Sequence, residues 1–399
     1  MTTRLVAMLV TLALVAPVAG APAAFEQRAT GAAPASTSEA ALNTAIDNLG
    51  AFDLTARTQA SKVVRRALPQ EAVPALTKAA RAHKDEYVRY RALVLLTGFG
   101  DATAGPVIHE LIGDKDDRIR TVVYSWLGLH PDPAVLPKLL AALDTEHSEF
   151  VRPILTRAVA AYGDDARARA ALLPLVGRGA DLFRGAVIEA IGDYHGRYAG
   201  APITEVAQYE GPLQDEAVLS LGKMGDASAL PALSALQKNG PADVQPAIAV
   251  AVCLITTNCT TQEDYLKRAL AFSAAREGQA ALLSRTAHAI GALGTANRQS
   301  ALVMLFDQGV PAKDPVRSVI AVSIGTVALQ NPGALITALE SRTDLSGSLT
   351  LLRDAFDMLS EEDYGQERFY TALRQAATSA PVGSKRRQIA AAAIDALEF

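Results

Sequence analysis

Apolar residues along this chain recur at helical spacing. Val88, Ala92, Leu95 and Leu96 sit three or four positions apart and form one stripe, as an amphipathic helix requires. The segment that carries them opens on an acidic residue, then an aliphatic residue and arginine, as Glu86-Tyr87-Val88-Arg89. The same order returns as Asp117-Arg118-Ile119-Arg120, Glu149-Phe150-Val151-Arg152, Asp181-Leu182-Phe183-Arg184 and Asp314-Pro315-Val316-Arg317. A glycine often follows eight positions after the arginine, as Gly128, Gly192 and Gly325, or eleven after, as Gly100 and Gly163. Aligned on these glycines, the equivalent position falls at Arg57, Arg89, Arg120, Arg152, Arg184, Gln214, Gln245, Leu283, Arg317, Leu352 and Arg387. The steps between them are 32, 31, 32, 32, 30, 31, 38, 34, 35 and 35 residues, a period that unrelated helices would not keep.

Each period has the content of a helical hairpin. The first helix is expected to open on an aliphatic-Pro segment such as Val73-Pro74-Ala75-Leu76, Leu136-Pro137-Lys138-Leu139 or Leu230-Pro231-Ala232-Leu233, because a first turn has no intrahelical use for the missing N–H. The second helix is expected to begin at the acidic residue, whose carboxylate meets the positive end of the helix dipole. Asp314 before Pro315 is the clearest instance.

These Val-Arg-x-x-Ala segments, with aliphatic residues before Gly and Gly before Asp, resemble HEAT repeats, in the short form found in phycobilisome bilin lyases. The resemblance covers about residues 41 to 399, most clearly from Ala72 to Asp226. It implies an all-α fold, a right-handed α-solenoid of about eleven hairpins. It also implies a structural ladder in which Arg57, Arg89, Arg120, Arg152, Arg184 and Arg317 reach acidic and backbone groups at neighbouring turns. Gln214, Gln245 and Leu283 would interrupt that ladder.

Composition agrees with close-packed helices: half the residues are hydrophobic but only 5% are aromatic, so the apolar content is small and aliphatic. A net charge of −4 without a long basic run argues against nucleic acid as a partner. Lys385, Arg386 and Arg387 read as the solvated start of a last helix.

The N-terminus follows a different logic. Arg4 supplies a positive n-region, Leu5 to Ala16 an apolar core, and Ala21-Pro22-Ala23 a small-residue cleavage triplet. The expectation is a signal peptide over residues 1–23, a flexible Ala/Pro/Ser/Thr leader over 24–40, and the solenoid over 41–399. Pro17 breaks the apolar run short of the ~20 residues that a span needs, so no stable membrane span is expected after cleavage. The mature chain is then expected in a bacterial periplasm or outside the cell.

Catalytic patterns are scarce. His83, His109, His130, His147, His195 and His288 lack the spacing of a helical metal site, and no phosphate-cradling or nucleophile-elbow motif occurs. The di-iron deoxyhypusine hydroxylases use four His-Glu pairs, and His109-Glu110 is a single one. Asp164-Asp165 and Glu361-Glu362 read as turn or helix-start carboxylates, and Tyr124 and Trp126 as core. No catalytic, metal or cofactor residue is assigned.

Cys253 and Cys259 would stand about 9 Å apart along a continuous helix at ~1.5 Å per residue, beyond the ~7 Å limit for a disulfide. A bond therefore needs a turn, which Thr256-Thr257-Asn258 can supply with Asn258 left-handed; the alternative is two separate thiols. Tyr194, His195, Arg197 and Tyr198 form an aromatic, polar turn and are the candidate recognition loop, and the 38-residue step carries an insertion. Ten steps of roughly 8–10 Å would give the second helices an inner surface about 80–100 Å long. Such a surface points to a non-catalytic scaffold for a protein or extended peptide. Alternatives are an enzyme or cofactor-handling factor resembling the bilin lyases, or a structural envelope component.

Overall fold

Helix starts here are set by short polar side chains whose oxygens take up the N–H groups that the first turn leaves free. Ser38 accepts from the N–H of Ala41, Asp53 from Ala56, Asp85 from Tyr87 and Val88, and Asp116 from Arg118 and Ile119. The capping acid is thus Asp85 or Asp116, one position before Glu86 or Asp117. Those two occupy the first helical position, as does Asp181, and the cap before Asp181 is Ala180, which has no side-chain acceptor. Asp314 also stands apart from the expected pattern: its helix begins at Val316, and its carboxylate accepts from the N–H of Ser318. Pro137 and Pro231 do lie in first turns, whereas Pro74 lies inside its helix.

The computed structural model describes residues 36–359 and 363–399. Within them the chain is all-α. The first four hairpins pair α1 (Glu39–Asn48) with α2 (Leu54–Arg66), α3 (Pro69–Ala82) with α4 (Glu86–Thr97), α5 (Asp101–Glu110) with α6 (Asp117–Leu129), and α7 (Leu136–Thr145) with α8 (Val151–Ala160). The next four pair α9 (Ala166–Leu172) with α10 (Asp181–Asp193), α11 (Gly200–Gln208) with α12 (Gln214–Met224), α13 (Leu230–Asn239) with α14 (Gln245–Thr256), and α15 (Thr260–Ala274) with α16 (Ala280–Thr295). The last three pair α17 (Gln299–Gly309) with α18 (Val316–Gln330), α19 (Pro332–Ser341) with α20 (Leu345–Met358), and α21 (Asp363–Ser379) with α22 (Lys385–Ala396). The array begins at α1, two residues before the expected boundary. The end of the leader is tied to it, since Ser36 Oγ and Thr37 N donate to the Glu71 carboxylate at 2.9 Å each. The signal segment and most of the leader lie outside the described residues, as does Glu361-Glu362.

One apolar cluster runs from Leu42 to Phe399, built mostly of Leu, Ile, Val and Ala. The second helices of successive hairpins stack closely on one another, and the first helices stand farther apart, so the array curves with the second helices inside. The glycines eight positions into the repeat make that approach possible. A Cβ on Gly222 would come within 2.5 Å of Ala251 Cα, and one on Gly192 within 2.8 Å of Ser220 Cα.

Curvature brings the two ends together. α21 packs on α18 and α19, and its other side meets α4 of the second hairpin. Glu367 receives two hydrogen bonds from Arg65, Asp363 pairs with Arg91 and accepts from the Tyr90 hydroxyl at 2.8 Å, and Arg374 donates to the Gly98 carbonyl at 2.6 Å. This is why α4 is buried from Val88 to Leu96, apart from Arg91: α21 covers the face that an open array would expose. The expected long open inner surface is therefore replaced by a ring with an enclosed lumen.

Candidate functional site

The inner helices carry a stripe of charged residues that faces the lumen. Arg157 of α8, Glu189 and Asp193 of α10, Glu216 and Lys223 of α12 and His288 of α16 come from three consecutive inner helices and one farther round. Lys223 Nζ lies 2.8 Å from Asp193 Oδ1 and 3.7 Å from Glu216 Oε1, while Arg157 pairs with the second oxygen of Asp193. His288 Nε2 approaches Glu216 Oε2 at 3.5 Å. Farther along the wall Arg285 bridges Asp215 at 3.0 Å and Asp243 at 3.3 Å.

Burial opposes charge on these groups, and their mutual placement decides the balance. On Lys223 burial is outweighed by Glu216, Asp193 and Glu189 together, which hold its ammonium above the ordinary lysine value. Burial is likewise overcome at Asp193, by Lys223 and Arg157, and at Glu216, by Lys223 and His288, so both carboxyls stay low. His288 is raised, chiefly by its hydrogen bond to Glu216. Glu189 differs: burial and then the neighbouring Glu216 push its carboxyl up. It makes no hydrogen bond or ion pair among the described residues.

Three cavities converge on this wall, and Gln330 borders each of them. The largest, about 810 Å³, lies over Arg157, Asp193 and Lys223; the others, about 350 and 310 Å³, share Glu189 and Thr326. Ser284 and His288, one turn apart on α16, share a wall of the smallest without a hydrogen bond between them. Pattern reading gave the six histidines and scattered acids no common site. The lumen assembles Glu189, Glu216 and His288 from residues up to about a hundred positions apart, and only the recurrence of charge on inner-helix faces hinted at it.

The arginines of the repeat take defined places. Arg57 donates to the Ala51 and Phe52 carbonyls, and Arg120 to those of Asp114 and Lys115, and Arg120 also reaches Glu146 of the next turn at 2.8 Å. Arg89 joins the Ala80 carbonyl to Asp114, and Arg317 joins the Gly309 and Val310 carbonyls to Asp354. Arg184 donates to Val176 O and pairs with Asp181, whereas Arg152 lies over the Phe183 ring and its Nε is buried without a partner. Gln214 and Gln245 still donate to turn carbonyls, and Leu283 is buried.

Cys253 and Cys259 form a disulfide with Cα atoms 4.6 Å apart, and the left-handed residue of the intervening turn is Thr257, not Asn258. The aromatic turn is spent within the array. Tyr194 donates to Gly128 O, His195 Nδ1 lies 2.6 Å from Lys223 O, Arg197 donates to Met224 O and Gly225 O, and the Tyr198 hydroxyl is buried. Glu110 pairs with Arg81, and His109 packs edge-on against Trp126, which stacks on His130. No group of three or more potential metal ligands occurs among the described residues, and no described helix is long and apolar enough to cross a membrane.

Residues 73–160 match the HEAT repeats family, and residues 213–239 match the PBS lyase HEAT-like repeat. No curated protein matches. Similar solved structures include the complex of CpcE and CpcF of phycocyanin lyase from Nostoc sp. PCC7120, at 17% identity over 60% of this chain and 94% of that one, with a TM-score of 0.40. Human deoxyhypusine hydroxylase in complex with glycerol is similar at 20% identity, over 67% of this chain and 98% of that one, with a TM-score of 0.29. The Kap95:Nup1 complex follows at 13% identity, 89% and 62%, and 0.35. Residues 73–160 thus carry HEAT repeats and residues 213–239 a repeat resembling the phycobilisome-lyase type, both within the array of eleven helix pairs found among the described residues.

Proposed function

We propose that this chain is an exported, non-catalytic scaffold that binds a protein segment along one rim of the ring. The observation that carries the reading is a row of apolar side chains at the turns joining first to second helices. Phe150, Leu182 and Tyr209 belong to three consecutive hairpins and are 78%, 88% and 66% exposed. Phe52 and Val382 hold the same place in the first and last hairpins. In a stacked array these turns fall on one edge, and large exposed apolar side chains gathered there are the usual mark of a binding surface. A recess of about 400 Å³ bordered by Asp181, Arg184, Tyr209 and Leu213 lies beside them. Cavities of the size found in the lumen are too small for a folded partner, which moves the docking surface from the concave face to this rim.

Export is supported by the patterning of residues 1–23 and by a disulfide that an oxidising compartment would preserve. A cofactor-handling role akin to that of bilin lyases draws support from the charged lumen instead. A photo-crosslinker at Leu182, used in an envelope fraction, separates these. A single protein adduct that is lost in Phe150→Asp/Tyr209→Asp supports the scaffold, and a mature N-terminus near Ala24 supports export. Absence of any protein adduct, or one indifferent to the rim substitutions, would end the reading.

A further inference from the structure

The about 350 Å³ cavity beneath α21 holds two groups of opposite sign, Glu189 and Arg368, that make no ion pair among the described residues, although Lys223 and Arg157 act on Glu189 from farther off. Glu189 makes no hydrogen bond or ion pair among the described residues. Arg368, on the opposite wall, donates only to the Leu329 carbonyl at 3.2 Å. Every other lumen charge discussed above is consumed by a neighbour: Arg157 by Asp193, Lys223 by Asp193 and Glu216, His288 by Glu216. The lining combines apolar Leu129, Ile154, Leu329 and Leu359 with polar Arg157 and Gln330. Glu189 is half-buried, no donor reaches its carboxyl, and burial together with the neighbouring Glu216 pushes that carboxyl up. A ligand bearing an ammonium and a carboxylate would supply the partners that Glu189 and Arg368 lack. The volume falls in the range of small-molecule sites, which combine apolar walls with a few placed polar groups.

We propose that this cavity binds a small apolar zwitterion of amino-acid size, its ammonium taken by Glu189, its carboxylate by Arg368 and its side chain by the Leu129–Ile154–Leu329 wall. The site lies inside the ring, away from the rim of Phe150 and Leu182, so it is independent of the scaffold reading. It depends on closure, because Arg368 is carried by α21, the helix that joins the two ends.

Isothermal titration of the full mature chain with L-leucine tests this, with leucine methyl ester and N-acetyl-leucine as arms that each remove one charge. The expected result is saturable one-to-one binding of leucine, weakened at least about tenfold by either modification and by Glu189→Gln or Arg368→Gln. Ile154→Trp, which fills the cavity, is expected to abolish binding, and Leu182→Asp on the rim to leave it unchanged. Each variant is accompanied by a circular dichroism melt, and Ile154→Trp keeps the test decisive where a charge variant fails to fold. Absence of leucine binding, or equal binding by the ester, the acetyl derivative and the filled-cavity variant, would overturn the proposal.

Discussion

Arg65 donates through Nε and Nη2 to one oxygen of Glu367, at 2.9 and 2.6 Å, across 302 residues of sequence. The two side chains are 10% and 2% exposed, so the pair sits in the closed seam of the ring and not on its surface. A buried pair is costly to form but costlier to halve, because the surviving charge has no solvent. Glu367→Ala is therefore expected to lose about 3–5 kcal/mol of stability and to loosen closure. Small-angle scattering should show a larger radius of gyration, and Arg65→Met/Glu367→Leu should recover compactness. An unchanged profile and melt in Glu367→Ala would show that closure does not depend on this pair.

Gly222 and Ala251 set how closely neighbouring inner helices approach. Gly222→Ala brings a methyl within 2.5 Å of backbone at Ala251, so the two hairpins must separate. A loss of about 1–3 kcal/mol is expected, as for other overpacked cores. Gly113→Ala, which meets nothing within 4 Å, is the control and should melt with the parent chain. Urea denaturation of the two variants side by side makes the comparison.

His288 and Glu216 predict a pH dependence whose sign follows from the direction of the shift. His288 is held above the ordinary imidazole value of 6.5 by Glu216, with burial and Lys223 opposing and Glu189 assisting. The folded chain thus keeps a proton that the unfolded chain releases first. The stability contributed is fully present below about pH 6.5 and is lost as pH rises through the folded value. His288→Gln should lower the melting temperature more at pH 5.5 than at pH 8.5. Titration of the His288 ring by NMR should place its midpoint above 6.5 in the parent chain and lower in Glu216→Gln. A parent midpoint at or below 6.5 would contradict the arrangement.

The Cys253–Cys259 disulfide closes a loop of only a few residues between α14 and α15. Short loops restrict the unfolded chain modestly, so Cys253→Ala/Cys259→Ala is expected to cost about 2 kcal/mol. The oxidised chain should weigh two hydrogens less than its reduced form by mass spectrometry. Two freely alkylated thiols in the purified protein would rule the bond out.

Much of the fold was legible because a HEAT-type hairpin is a local object. The arginine steps of 30 to 38 residues, the early prolines and the glycines eight positions on each act within one hairpin or on the next. They sufficed for helix pairs, for their number, and for the inner place of the second helices. Cap positions slipped by one residue, as at Asp85 before Glu86, because neighbouring carboxylates differ only in backbone angles.

Closure and the lumen are of another kind. Each hairpin adds a small rotation to the last, and only the sum over eleven decides whether the ends meet. Nothing in the type of residue at Arg65, Glu367 or Arg368 sets it apart from other surface charges, and nothing near Glu189 in sequence denies it a partner. The sequence alone determined the repeating unit and the order of its helices. Tertiary structure alone decided that the array becomes a ring, because that outcome rests on accumulated geometry and on contacts between residues some three hundred positions apart.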